Sequence, residues 1–207
     1  MGDLTRRSFV GFVATTAVCC GIGGVGVALT GESDPLRPPG AQSENDLLAA
    51  CVKCDRCRSA CHTGAIAVAH VEDGLLRART PVLDFHQGSC DFCDKCRQAC
   101  PTGAIRSFDH TTDKIGVAII QTDRCIAYIE GCRECVDACP YGAMSLDEAD
   151  HPVVDPQVCN GCGVCENICP ALVYRSFAGG TRHGVVVETW ERYQELGATT
   201  YDGGDAA

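Results

Sequence analysis

Residues 90–105 read CDFCDKCRQACPTGAI. Cys90, Cys93 and Cys96 arrive at intervals of three, and Cys100 follows four residues later, directly before Pro101. Three thiolates at that spacing wrap one side of a small inorganic cube. A later cysteine in a C-P pair reaches the neighbouring cube, so the run is a ligand set for 4Fe-4S clusters. The proline ends the ligand turn and donates no backbone hydrogen bond, while the glycine of Thr102-Gly103-Ala104-Ile105 allows a tight turn into a short strand.

The pattern occurs four times. Cys51, Cys54, Cys57 and Cys61 form the first group; Cys90, Cys93, Cys96 and Cys100 the second; Cys125, Cys132, Cys135 and Cys139 the third; Cys159, Cys162, Cys165 and Cys169 the fourth. Three groups continue C-P, and three carry a turn tail: Thr63-Gly64-Ala65-Ile66, Thr102-Gly103-Ala104-Ile105 and Tyr141-Gly142-Ala143-Met144. This is an internal repeat, and it predicts four 4Fe-4S clusters on sixteen cysteine ligands. Zinc sites join two C-x-x-C knuckles across a longer gap, and disulfide pairing would leave the repeated C-P unexplained. Two departures stand out. His62 replaces the proline of group one, where it reads as a surface replacement, with tuning of a cluster's potential the functional alternative. Six residues, including Tyr128, separate Cys125 from Cys132, which reads as an accommodated insertion.

Composition supports a metal-built fold. The chain has 207 residues, 18 of them cysteine, and only 6% aromatic residues. Its apolar share of 45% counts those cysteines, so bound metal must replace part of the missing core. A net charge of −10 with no long basic run argues against nucleic acid as a partner. Anionic clusters would deepen that charge, so a docking partner is expected to present basic residues.

Ahead of the repeat, residues 1–30 carry Arg6-Arg7, Phe9 and an uncharged Gly- and Ala-rich run. They read as a signal for the twin-arginine translocase, cleaved or kept as an anchor, and imply export of a folded protein to the periplasm or the outer face of the cytoplasmic membrane. Gly21 to Gly26 match G-x-G-x-x-G without the strand and βαβ unit that give it meaning. Cys19 and Cys20 read as small hydrophobes. Residues 31–45, rich in Pro, Gly and polar residues, read as a tether.

The expected fold class is α+β and ferredoxin-like: two two-cluster units of short hairpins and short helices. Each C-x-x-C run should enter a short helix before its last cysteine. Val117 to Ile120, Val153-Val154 and Val185 to Val187 read as strands, and Thr189 to Leu196 as a helix. The four-cluster domain is expected over 46–175, with a partly disordered C-terminal extension over 176–207. A helical, polar approach to group one (Ser43 to Ala50) favours nested pairing, Cys169 joining Cys51, Cys54 and Cys57, and Cys139 joining Cys90, Cys93 and Cys96. Tandem pairing would put Cys100 there instead.

With the twin-arginine start, Leu36-Arg37-Pro38-Pro39-Gly40-Ala41 and a widened third group, the chain resembles the NapG/MauM family of ferredoxin-type proteins. That resemblance implies an electron-transfer subunit of a quinol dehydrogenase system used in anaerobic respiration. A multispanning, quinol-oxidising membrane partner (NapH-like) would supply electrons, to be passed to a periplasmic redox acceptor of the nitrate reductase type. The second group lacks two residues that this family often has before its third cysteine, so service to another exported molybdenum oxidoreductase remains the alternative. No catalytic residues are expected.

Overall fold

A computed structural model describes residues 35–174, 183–196 and 200–201. The export signal expected over 1–30, Cys19 and Cys20, and the tail 202–207 lie outside the described residues. Among the described residues no helix is long and apolar enough to cross a membrane.

Two similar units follow one another. The first opens with helix α1 (Glu44–Ala50), then α2 (Arg56–Ala60), strand β1 (Ile66–Val68), strand β2 (Pro81–Leu83) and α3 (Lys95–Ala99). β1 and β2 pair antiparallel, Ala67 opposite Val82. The second unit holds β3 (Val117–Gln121), α4 (Ala127–Glu130), α5 (Glu134–Asp137), β4 (Met144–Leu146), β5 (Pro152–Val154), α6 (Val164–Ile168), α7 (Ala171–Tyr174), β6 (Val185–Glu188), α8 (Trp190–Leu196) and β7 (Thr200–Tyr201). β4 and β5 repeat the β1–β2 hairpin, and β3 lies between antiparallel β6 and parallel β7. The helices that flank cysteines, α2, α3, α5 and α6, are only four or five residues long. Isolated helices of that length are unstable, so tertiary contacts must hold them.

The core is thin, and cysteine belongs to it. Ile66, Phe85, Val117, Ile120 and Val185 pack with buried Cys125, Cys135, Cys159 and Cys165. In β3 the residues Val117 to Ile120 are all buried, as befits a central strand covered on both faces.

Two expected boundaries are corrected. The stretch read as a tether is packed from Pro38 on, and α1 begins inside it at Glu44. Arg37 is only 4% exposed and donates to both Glu44 carboxylate oxygens (2.7 and 2.6 Å), to Thr80 Oγ1 (2.9 Å) and to the Pro81 carbonyl (2.8 Å). The R-P-P-G run is thus a structural clasp that fastens α1 to the start of β2. At the other end, residues 185–188 are no appendage but the antiparallel partner of β3. α8 stacks Trp190 on Tyr193 (5.4 Å), and Lys114 lies 5.3 Å over the Trp190 ring. Hydrophobic periodicity alone could not reveal either role, because one is a buried charge and the other a pairing distant in sequence.

The clasp gives a test. Arg37→Ala leaves the half-buried Glu44 carboxylate without its bidentate partner and should destabilise the first unit by about 3 kcal/mol, measured by thermal or denaturant unfolding. Burial pushes the Glu44 carboxyl up, but Arg37 and Arg77 outweigh it, so its pKa lies below the usual carboxylate value. A depressed folded-state pKa contributes stability above the unfolded value, about 4.5, that is lost as pH falls through the folded one. Wild type should therefore shed this contribution only in acid, and Arg37→Ala, with Arg77 alone left to offset burial, should shed less.

Candidate cluster sites

Three of the four ligand loops bend their backbone in the same unusual way. Lys53 and Asp55, Phe92 and Asp94, and Gly161 and Gly163 all have positive φ, between 56 and 79°. These are the residues immediately before and after the second cysteine of groups one, two and four. Alternation of left-handed residues turns backbone N–H groups inward, forming a concavity suited to an anion. The Lys53 N–H lies 3.4 Å from Cys51 Sγ. In groups two and four the turn is fixed further by Asp91 and Asn160, whose side-chain oxygens accept from the Cys93 and Cys162 N–H groups. Group three replaces this device with α4, closed by Gly131 at φ 72°, and Tyr128 stacks on His151 (4.0 Å). The six-residue spacer is therefore a helical turn that still delivers Cys125 to its site.

Four cavities are each walled by four cysteines. Cys51, Cys54, Cys57 and Cys100 line the first. Cys61, Cys90, Cys93 and Cys96 line the second. Cys125, Cys132, Cys135 and Cys169 line the third, and Cys139, Cys159, Cys162 and Cys165 the fourth. Cys100 stands with the first triplet, so the pairing is tandem and the nested expectation is overturned. The helical approach that suggested nesting has another explanation. Leu47 of α1 is buried against Ala104 and Ile105 beyond the second group, and the Arg106 N–H donates to the Gly40 carbonyl. The helix was read correctly, but with the R-P-P-G turn it covers the first unit rather than marking nested pairing.

The short helices explain the exchange of fourth cysteines. Cys57 and Cys61 lie at i and i+4 about α2, as do Cys96 and Cys100 about α3, Cys135 and Cys139 about α5, and Cys165 and Cys169 about α6. Four residues of helix rise about 6 Å, so each helix gives one cysteine to each quartet of its unit. The T-G-A-I tails then return to the crossing sulfur. Gly64, Gly103 and Gly142 have φ of 77, 68 and 64°. The Ala143 N–H donates to Cys139 Sγ at 3.3 Å, and Thr63 Oγ1 lies 3.4 Å from Cys61 Sγ. Burial raises the Cys61 and Cys100 thiols, but hydrogen bonds from these tails more than reverse it, leaving both below the ordinary cysteine value.

At five other cysteines burial wins. It pushes Cys57, Cys96 and Cys162 to about 11 and Cys90 and Cys135 to about 12, with neighbouring thiolates adding to the rise. Thiols so buried are stabilised as thiolates by a cation among them. None of the sixteen is in a disulfide. The donor set, four sulfurs and a mainly apolar wall with N–H groups turned inward, fits a cubane cluster.

The quartets also have an order. Cys57 feels Cys96 and Cys165 feels Cys135, across each unit's own pair of sites. Between the units, the Cys90 N–H donates to the Cys162 carbonyl (2.8 Å), joining the second quartet to the fourth. Phe92 stacks on Phe108 (5.8 Å) and meets Tyr141 of the other unit edge-on (6.2 Å). The sequence of sites is therefore first, second, fourth, third.

His62, singled out above, has Nε2 3.0 Å from Asp91 Oδ2 and Nδ1 3.7 Å from Cys93 Sγ, so it touches a ligand of the second quartet. Glu166 was missed. It is buried beside Cys165, accepts the Val187 N–H at 2.7 Å, and is pushed by burial up to about 7. On a five-residue helix it carried no signal beyond its position next to a cysteine.

The family profile described as 4Fe-4S dicluster domain matches three overlapping windows, residues 50–104, 89–143 and 124–173. The geometry selects the first and last as physical units. The chain is 32% identical over 189 residues to the ferredoxin-type protein NapG of Escherichia coli strain K12, covering 79% of this chain and 80% of that protein. It is 35% identical over 188 residues to the methylamine utilization ferredoxin-type protein MauM of Paracoccus denitrificans strain Pd 1222, covering 80% and 83%.

Proposed function

The chain belongs to the 4Fe-4S family of ferredoxin-type electron-transfer proteins that includes NapG and MauM, and from that membership we propose that it is a four-cluster wire between a quinol-oxidising membrane protein and a periplasmic reductase. Sixteen of its cysteines, those of the four motifs, are the ligands, one quartet to each of four 4Fe-4S clusters. The observation that carries this reading is the exchange of Cys61 with Cys100 and of Cys139 with Cys169, which leaves four complete four-sulfur sites.

A bound cube takes up and releases one electron at a time. This chain's residues hold the cubes in line, screen them with apolar walls, and aim N–H groups at the sulfurs. Quinol chemistry releases two electrons and two protons at the membrane partner; this chain conveys only the electrons. Residues 1–30 act as a twin-arginine signal, consistent with export after cluster insertion. The acceptor is of the nitrate reductase type. Residues 35–201 form the electron-transfer domain.

Metal content is the direct check. Anaerobically purified protein should contain about sixteen iron and sixteen sulfide per chain, and stoichiometric zinc in their place would overturn the assignment. For the role, membranes with the quinol-oxidising partner should reduce the protein when a quinol is added, and the isolated protein should not oxidise quinol. Deleting it should slow electron delivery to one reductase without changing that reductase's activity with an artificial dye donor. Loss of the dye-driven activity as well would mark a maturation factor instead.

A further inference from the structure

We propose that the surface around the first quartet docks a redox protein whose contact face is apolar at its centre and acidic at its rim. The inference rests on reading the quartets as cluster sites.

Position is the first argument. The second quartet is joined to the fourth through Cys90 and Cys162, which leaves the first at one end of the line. Its Cys54 is exposed, so a partner seated there comes directly against a ligand.

The second argument is the apolar surface. Val52, Val71, Leu75 and Leu76 are 62, 68, 73 and 71% exposed, an outward display of large aliphatic side chains in a chain short of them. They belong to one patch, because two bonds tie the 71–79 loop to the ligand loop: Lys53 Nζ donates to the Leu76 carbonyl (3.0 Å) and Arg79 pairs with Asp55 (2.8 Å). Contiguous apolar surface with a polar rim marks an interaction site.

Charge identifies the occupant. The two loops, residues 52–58 and 71–79, carry Lys53, Arg56, Arg58, Arg77 and Arg79 against Asp55, Glu72 and Asp73, a side-chain excess of two positive charges that offsets the negative charge of a cluster at this end, in a chain of net −10. Around the third quartet, at the other end, residues 123–137 carry Asp123, Glu130, Glu134 and Asp137 against Arg124 and Arg133. The basic partner expected from overall charge suits that far end; the first quartet suits the opposite sign. Such contrast lets two partners be told apart and steered to separate ends.

The test uses the holoprotein and an oxidised acidic flavodoxin as the probe, with the dissociation constant measured by calorimetry. At low salt Lys53→Glu/Arg56→Glu should weaken binding about tenfold or more, and about 0.5 M salt should close most of that gap. Leu75→Ser/Leu76→Ser should weaken binding at both salt levels. Glu130→Lys/Glu148→Lys, far from the patch, should bind as wild type does. Wild-type binding by the Lys53/Arg56 variant, or sensitivity confined to the Glu130/Glu148 variant, would overturn the proposal. So would Leu75- and Leu76-dependent flotation with phosphatidylglycerol vesicles in the absence of flavodoxin binding, which would make this face a membrane contact. Iron content and dithionite reduction are read on the same samples: absence of iron from wild type would sink the cluster reading itself, whereas full iron with altered binding bears on the docking face alone.

Discussion

Cys51→Ala/Cys100→Ala should lose about four iron atoms per chain, the same as either single substitution, whereas Cys51→Ala/Cys169→Ala should lose about eight. The difference follows from the quartets. Cys51 and Cys100 line one cavity, so removing the second after the first costs no further site, while Cys169 lines another with Cys125, Cys132 and Cys135. Nested pairing would invert the two results. Iron and sulfide analysis reads the outcome, and spectroscopy of the reduced protein should show one missing signal in the first case and two in the second. Loss of a cluster removes part of a core in which cysteines stand among the buried residues. Each lost site should therefore destabilise its own unit by on the order of 4 kcal/mol. Metal ligation holds the short helices α2 and α3 in place, so unfolding of the first unit should lose cooperativity in Cys100→Ala.

Much of this arrangement was legible in the sequence because cluster ligation is a local constraint. Three cysteines at intervals of three, a fourth four residues on, and a glycine two residues beyond the proline or its counterpart specify a ligand loop, a one-turn helix and a turn into a strand. All sixteen sulfurs reach cavities walled by cysteine for that reason. Pairing of the groups was not legible, because each run is equally able to serve the group before or after it; the profile's overlapping match at 89–143 shows the same ambiguity. What decides is long-range packing: Leu47 against Ala104 and Ile105 closes the first unit, and β6 against β3 closes the second. Arg37 misled for a related reason. A Pro-Gly-rich stretch with a charge looks solvated until the carboxylate and carbonyl that surround the guanidinium are known.

The seam between the units provides a second large effect. A Cβ on Gly161 would meet the backbone of Gly116 at 2.5 to 2.9 Å, and one on Gly163 would meet the Phe85 ring at 2.2 to 2.4 Å. Gly163 cannot be replaced without moving one unit against the other, and Gly161 cannot be replaced without displacing the backbone that leads into β3; the Phe85 carbonyl is also held by the Asn167 side chain (2.8 Å). Gly103 is the control. Its φ of +68° is as left-handed as theirs, yet nothing lies within 4 Å of its added Cβ. Gly103→Ala should therefore cost only the left-handed backbone penalty, about 1 kcal/mol, whereas Gly161→Ala/Gly163→Ala should add overpacking at two places, for a total of about 5 kcal/mol. The strain falls where the Cys90 N–H meets the Cys162 carbonyl, so the seam should loosen before either unit does. Iron content should stay near wild type, and thermal unfolding should separate into two transitions. Magnetic coupling in the reduced protein should weaken between the second and fourth sites while persisting within each unit. A single cooperative transition with unchanged coupling in the double variant would mean that the two units are joined elsewhere, and that the line of sites does not pass through Cys90 and Cys162.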